Sequence, residues 1–322
     1  MRFIIYGAGA VGGTIGARLF QAGHDVTLIA RGDHLRSIQK TGLRFRSPGD
    51  DVVLETPAVV HPDEIDFTPD DVVFLAMKTQ DTADALRELA AAAPPEIGVV
   101  CAQNAVENER LAIRHFADVY GMVVMSPAAH MDPGEVMVYS TPVSGILDLG
   151  RYPVGVDARA EAIAAALETA TFVSQPRPDI MAWKHRKLMM NLGNAIQAVC
   201  GRDAARGDVR RMASSEGEAC LEAAGIAVIS REEDRERRGD ILVMGDIEGA
   251  ARTGGSSWQS LARGVGSIEA DYLNGEVVRI GREIGFPTPV NELLQRLANH
   301  AARMRWEPGH LTEEQVLSML PG

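Results

Sequence analysis

Phe3-Ile4-Ile5-Tyr6-Gly7-Ala8-Gly9-Ala10-Val11-Gly12-Gly13 reads as a short buried strand running straight into a G-x-G-x-x-G turn. Gly7 suits a tight turn, Gly9 lets backbone approach a pyrophosphate, and Gly12 lets the next helix lie close to the strand. A helix over roughly Gly13 to Ala22 would aim its N-terminal amides and positive dipole end at the phosphates. The glycine pattern alone arises by chance in glycine-rich loops. Its place between a strand and a helix, with a second strand over Asp25 to Ala30, is the context of a dinucleotide-binding βαβ unit. Gly7, Ala8, Gly9, Ala10, Val11 and Gly12 are therefore the expected cofactor-binding turn.

The end of the second strand speaks to which dinucleotide. An NAD site usually places Asp or Glu there to hold the ribose 2′-hydroxyl. Here the strand ends in Ile29-Ala30-Arg31, and a guanidinium suits a 2′-phosphate through its planar fork. Asp33 follows two residues late and keeps NAD open, but Arg31 favours NADPH.

With 322 residues the chain has length for two domains and a substantial core. Its 46% hydrophobic and 24% charged residues fit a soluble globular protein. A formal net charge of −12 argues against nucleic acid or an anionic membrane surface as partner. The 3 cysteines, Cys101, Cys200 and Cys220, show neither C-x-x-C nor Cys/His metal spacing. They read as free thiols of a reducing compartment, with no metal site expected. A strand from Phe3 leaves no room for a signal peptide, and no apolar run reaches membrane-spanning length, so a cytoplasmic location is expected.

Apolar runs at Phe3–Tyr6, Val26–Ile29, Val72–Ala76, Val99–Cys101 and Val123–Met125 alternate with helical segments such as Thr82–Ala93. That alternation indicates an α/β, doubly wound, Rossmann-type domain over residues 1–173. Glu135–Leu149 has a polar/apolar rhythm expected to add antiparallel strands at the sheet edge. Strand signals fade after about residue 172, and helical periods from Met181 onward mark an all-α domain over residues 174–322. Ligands are expected in a cleft between the domains. The run Arg231–Asp240, dense in both charge signs, reads as a solvated helix face or loop.

Several residues stand out as candidates for chemistry. Lys78 follows the Val72–Ala76 strand on the carboxyl edge, where doubly wound sheets bind ligands, and Asn104 holds the same place after the next strand. Within Met181–Val199, Lys187, Asn191 and Asn194 fall at i, i+4 and i+7 on one face. A lysine and two amides are costly to bury without partners, which an anionic substrate would supply. Lys184, one turn earlier on nearly the same face, competes with Lys187 for that role. Ser257 lies where a loop opens a helix, and Glu269 and Asp271 follow, pointing apart on a helix.

Taken in order, Gly7 to Gly12, Lys78, Gln103-Asn104, Lys187-x-x-x-Asn191, Ser257, Glu269, Asp271 and Asn274-Gly275 resemble the ketopantoate reductase (2-dehydropantoate 2-reductase) family. The resemblance covers most of the chain. It implies a Rossmann domain, a helical second domain, and NADPH-dependent reduction of ketopantoate to pantoate for pantothenate and coenzyme A synthesis. It further implies Lys187 as general acid and Asn191 as substrate ligand. Asn104 would stand between cofactor and substrate, Ser257 on the substrate carboxylate, and Glu269 on substrate hydroxyl or nicotinamide ribose. The apolar helices of the second domain could pair copies into a homodimer.

Three positions depart from the family pattern: Asn104-Ala105 stands where Asn-Gly is usual, Ala195 where a second asparagine is usual, and Leu261 where an aspartate is common. Asn194, one residue early, is the nearest substitute for that asparagine. The departures lie on the substrate side, which keeps open a reductase of a different 2-oxo acid, or a non-catalytic NADPH-binding regulator. Spacing raises one question. Ser257 and Glu269 would lie about 18 Å apart on a straight helix. Either Ser257 sits in the loop, or Gly264 and Gly266 interrupt the helix.

Overall fold

A computed structural model describes residues 1–320, apart from the Ala205 side chain. Its strands are β1 (Phe3–Tyr6), β2 (Val26–Ile29), β3 (Leu43–Ser47), β4 (Asp50–Leu54), β5 (Ala58–Val59) and β6 (Val72–Leu75). They continue with β7 (Gly98–Cys101), β8 (Asp118–Met125), β9 (Ala128–Ala129), β10 (Glu135–Val138), β11 (Gly145–Arg151) and β12 (Phe172–Val173). The helices are α1 (Ala10–Gln21), α2 (Gly32–Thr41), α3 (Thr82–Ala92), α4 (Asn108–Ala112), α5 (Ala158–Thr169) and α6 (Ile180–Asn191). Then come α7 (Gly193–Cys200), α8 (Asp208–Ala223), α9 (Arg231–Arg238), α10 (Ser256–Ala262), α11 (Asn274–Ile284), α12 (Pro289–Arg303) and α13 (Glu313–Ser318).

Two compact units result: Met1–Lys184 together with Arg231–Arg252, and His185–Ser230 together with Thr253–Gly322. In place of the single join expected after residue 173, the units divide inside α6, and the first takes back a later segment.

The first unit carries the expected α/β, Rossmann-type layer. Its main sheet has the order β12-β11-β8-β7-β6-β1-β2-β5. Strand β1 is flanked by β2 and β6, both parallel, in registers Phe3↔Val26 and Phe3↔Val72. The Val/Ile/Phe-rich runs are covered on both faces, as parallel strands require. Ile15 and Leu19 of α1 and Ile163 and Leu167 of α5 pack on one face. Leu86 and Leu89 of α3 and Ala112 of α4 pack on the other.

Glu135–Leu149 departs from expectation. Strand β11 does pair antiparallel with β8 in the main sheet, but β10 joins a separate four-stranded sheet, β4-β3-β10-β9. This second sheet includes the β3–β4 hairpin, which the sequence reading did not identify. Arg18 of α1 ties it to the main layer, donating to Ser47 Oγ (3.2 Å), Ser144 Oγ (2.9 Å) and Asp50 Oδ2 (2.7 Å) while lying over the Phe45 ring.

The charged run at Arg231 forms a largely solvated helix, as expected, but Asp234 is buried and Arg237 turns inward. Arg237 is half-buried and donates to both oxygens of buried Asp148 in β11, at 2.7 and 2.6 Å. Arg177 and the Gln175 amide reach the same carboxylate. Helix α9 is therefore anchored to the first unit through a fully engaged buried acid.

The second unit is helical throughout. Leu192 breaks the expected continuous Met181–Val199 helix into α6 and α7. The Asn274 side chain donates to the Leu192 carbonyl (3.1 Å) and to Asn291 Oδ1 (2.9 Å), so the carbonyl exposed at the break has a partner. Among the described residues, no helix is long and apolar enough to cross a membrane, and no group of three His, Cys, Asp or Glu side chains is arranged to hold a metal.

Candidate active site

The turn between β1 and α1 is shaped by its glycines. Gly7 has φ +102, and a Cβ there would lie 2.6 Å from the Met77 nitrogen at the end of β6. Only glycine lets these two carboxyl-edge loops approach so closely. A Cβ on Gly12 would stand 2.2 Å from the Gly7 carbonyl oxygen and 2.8 Å from the Ala76 methyl. Gly9 is different in kind: nothing lies within 4 Å of the position its Cβ would take. Two glycines thus serve packing, while the third leaves an open cradle at the helix N-terminus, next to Ala8, Ala10 and Val11. That is where backbone amides and the helix dipole can receive a phosphate.

Arg31 ends the β2 edge as the residue preceding α2. Its side chain is 80% exposed and donates to Asp81 Oδ2 at 2.9 Å, a surface pair that holds it only loosely. Asp33 lies in the first turn of α2 and pairs with Arg36. Lys78, half-buried, precedes the short 3₁₀ turn Thr79–Asp81.

The loop after β7 is fixed by a buried polar network. Gln103 Nε2 donates to Thr82 Oγ1 (2.7 Å), Thr82 Oγ1 to Asn108 Oδ1 (2.8 Å), and Asn108 Nδ2 to the Asn104 carbonyl (3.0 Å). Asn104 is held by its backbone beside the Lys78 loop. Ala105 adopts φ +70, a left-handed conformation that costs an alanine about 1–2 kcal/mol. The backbone path that glycine would take at this position is kept, at the expense of strain.

Beneath that loop lies Lys184, the other lysine of α6. Its side chain is 2% exposed, pairs with Glu109 Oε1 at 2.5 Å, and donates to the carbonyls of Gln103 (3.0 Å) and Cys101 (3.3 Å). Glu109 is fully buried, and burial pushes its carboxyl above the usual range. A lysine so enclosed is tied by its ammonium to the backbone of the loop that carries Asn104. The cysteines are also unsuited to nucleophilic work: burial pushes the Cys101 thiol well up and the Cys200 thiol to about 11.

In the second unit, Lys187 is half-buried and Asn191 buried, one turn apart on the last stretch of α6. Asn194 lies past the Leu192 break, in α7, and is only partly buried. Ser257 sits buried in the first turn of α10. Helix α10 ends at Ala262; Gly264 and Gly266 then take φ +61 and +76. Glu269 begins a separate 3₁₀ turn and is buried, whereas Asp271 is exposed and accepts from Gln295 (2.8 Å) and Asn299 (2.6 Å). The helix is therefore interrupted, and the straight-helix separation of Ser257 and Glu269 does not apply.

Residues that the sequence did not announce also shape the site. His34 accepts from the Gly134 amide at Nδ1 (2.8 Å), so Nε2 carries the proton and donates to the Ala8 carbonyl (2.7 Å). Burial lowers the pKa of His34, which keeps this neutral tautomer pinned against the glycine turn. Its only sequence signal was proximity to the second strand. Glu109 and Asn108 gave none, because their partners lie far away in sequence.

Comparison with known proteins follows this geometry. Residues 3–153 match the family described as ketopantoate reductase PanE/ApbA, and residues 179–302 match its C-terminal counterpart. Over 305 residues the chain is 30% identical to the 2-dehydropantoate 2-reductase of Archaeoglobus fulgidus, covering 92% of this chain and 96% of that protein. The corresponding enzyme of Pyrococcus horikoshii is 27% identical over 299 residues, covering 92% and 96%. A crystal structure of a PanE/ApbA family ketopantoate reductase from Ralstonia eutropha superimposes with a TM-score of 0.78 at 28% identity, covering 95% and 99% of the two chains. A ternary structure of D-mandelate dehydrogenase with NADH and anilino(oxo)acetate superimposes at 0.79 with 23% identity, covering 94% and 99%, a likeness of fold.

Proposed function

The chain belongs to the ketopantoate reductase PanE/ApbA family of oxidoreductases, and from that premise we propose that it reduces the keto group of ketopantoate to pantoate with NADPH. The observation that carries the reading is the contrast within α6: Lys184 is buried on Glu109 and two carbonyls, whereas Lys187 is only half-buried and lies one turn from Asn191 on the same helix.

The glycine turn fits a dinucleotide, because Gly9 offers a cradle that any side chain would fill. The bound nicotinamide would supply hydride to the keto carbon. Lys187 then stabilises the charge developing on the keto oxygen and delivers the proton. Asn191 holds substrate, Ser257 its carboxylate, Asn104 stands between cofactor and substrate, and Glu269 takes the substrate hydroxyl or the nicotinamide ribose. Lys78 and Arg31 take the ribose and phosphate end. Ala105, Ala195 and Leu261 favour a second reading, in which the same chemistry acts on another small 2-oxo acid.

The test is NADPH oxidation with ketopantoate alongside a panel of other 2-oxo acids. Turnover with ketopantoate alone supports the first reading, turnover with a different acid the second, and none with any acid removes both. Two further results are expected. Arg31→Asp weakens NADPH but not NADH, read by titrating both; equal losses would remove Arg31 as the phosphate reader. Gly9→Ala leaves the melting temperature unchanged yet weakens NADPH at least tenfold, whereas Gly12→Ala, driven against the Gly7 carbonyl, lowers the melting temperature first.

A further inference from the structure

The Ala8–Gly9 peptide of the glycine turn is held by a group outside the turn. Its carbonyl accepts from His34 Nε2 at 2.7 Å, and the same oxygen would stand only 2.8 Å from a Cβ on Gly13. Gly13 thus makes room for this carbonyl, a use that the G-x-G-x-x-G pattern does not assign to it. His34 is fixed on its far side as well. Its Nδ1 accepts from the Gly134 amide at 2.8 Å, and the His130 ring lies against it with centroids 4.3 Å apart. His130 Nδ1 in turn donates to the Glu135 carbonyl at 2.9 Å. Helix α2 comes this near the turn before β10 because Gly134, at φ +81, has no Cβ; one there would meet Ser37 Cβ at 2.7 Å. Leu35 and Ile38, buried on the same helix, seat it on the core of the first unit. One imidazole therefore joins α2, the turn before β10 and the glycine turn.

A trans peptide is planar, with its C=O and N–H on opposite sides. A carbonyl drawn to His34 consequently turns the Gly9 N–H away from His34. Among the described residues no backbone carbonyl accepts from that amide, and it adjoins the open space where a Gly9 Cβ would be. Gly9 has φ −74, but glycine takes φ of either sign about as readily, so the plane could turn over and present its carbonyl oxygen in place of the N–H. An oxygen there would repel a phosphate. The glycine that keeps the cradle open cannot itself fix the direction of its amide, and that direction has to be set from outside.

We propose that His34 is a positioning residue for the cofactor: through the Ala8 carbonyl it holds the Gly9 amide toward the pyrophosphate of a dinucleotide. This rests on the dinucleotide half of the reading above, and on neither the 2-oxo acid nor Lys187. The contribution is to the pyrophosphate, so it is separate from the 2′-phosphate end assigned to Arg31.

The experiment follows NADPH binding by fluorescence titration in wild type, His34→Gln and His34→Asn, and measures adenosine 2′-monophosphate by its displacement of NADPH. That nucleotide carries the adenine and the 2′-phosphate without the pyrophosphate. The amide nitrogen of glutamine can take the place of Nε2 and donate to Ala8, whereas asparagine is too short to reach it and keeps only an acceptor for Gly134. Loss of one neutral hydrogen bond predicts about three- to tenfold weaker NADPH binding in His34→Asn. Affinity near wild type is expected in His34→Gln, with the dissociation constant of adenosine 2′-monophosphate unchanged in both variants. Wild-type NADPH affinity in His34→Asn overturns the proposal, as does a loss in His34→Gln as large as that in His34→Asn. Equal losses of NADPH and adenosine 2′-monophosphate in His34→Asn also overturn it, since His34 would then merely seat α2. A wild-type protein that binds neither NADPH nor NADH would instead remove the dinucleotide reading on which the proposal rests.

Discussion

Lys184→Met is expected to destabilise the protein by about 3–5 kcal/mol, the cost of breaking a buried ion pair from one side. The side chains of Lys184 and Glu109 are 2% and 0% exposed, so the carboxylate left behind has no route to water. Glu109 Oε2 already lacks a hydrogen-bond partner among the described residues, so removing the ammonium deprives the group of its counter-charge. The sign with pH follows. A carboxyl whose pKa is higher in the fold than in the open chain binds more protons when folded, so stability falls as pH rises from the unfolded value of about 4.3 toward the folded one. Denaturant titrations should therefore show the variant weakest at neutral pH and partly restored near pH 5. The double variant Lys184→Met/Glu109→Leu should recover most of the loss, since two apolar groups remove the charge as well as the pair. A Lys184→Met protein as stable as wild type would show that Glu109 is already neutral in the fold.

Lys187→Ala is expected to lower turnover with the best 2-oxo acid by about a hundredfold or more while NADPH affinity and melting temperature stay near wild type, because proton delivery to a developing alkoxide is commonly worth that much. The contrast with Lys184 is the point. Both lysines sit on one helix less than a turn apart, yet one should fail in a denaturant titration and the other in an assay. Steady-state kinetics should place the loss in kcat more than in KM, since a group acting on the alkoxide contributes little to binding the ketone. Near-normal turnover in Lys187→Ala would remove it from the acid role.

The two lysines also mark how far the sequence could be read. Their spacing puts both on nearly one face, and nothing local distinguishes them. The difference is made by Glu109, which long-range packing brings beneath the helix. The glycine turn and the Val- and Ile-rich strands were legible because their requirements are local: positive φ at Gly7, apolar burial at Phe3–Tyr6. The β3–β4 hairpin carries a local signal too, Leu43 and Phe45 buried either side of exposed Arg44, followed by Pro48-Gly49 at the turn. By contrast, the partner of the Leu192 carbonyl is the distant Asn274 amide, and that of Arg237 is the distant Asp148; local sequence contains neither.

The return of Arg231–Arg252 to the first unit has a consequence for synthesis. A ribosome working at about 5–20 residues per second releases Lys184 seconds before Arg237 exists. Through that interval the β11 carboxylate of Asp148 has Arg177 and the Gln175 amide for company but not its tightest partner. The nascent first unit therefore waits, incomplete, until the later segment has been made. A chaperone that shields nascent chains would find its client in that window, and a nick between the two segments would separate the layer from the helix that finishes it.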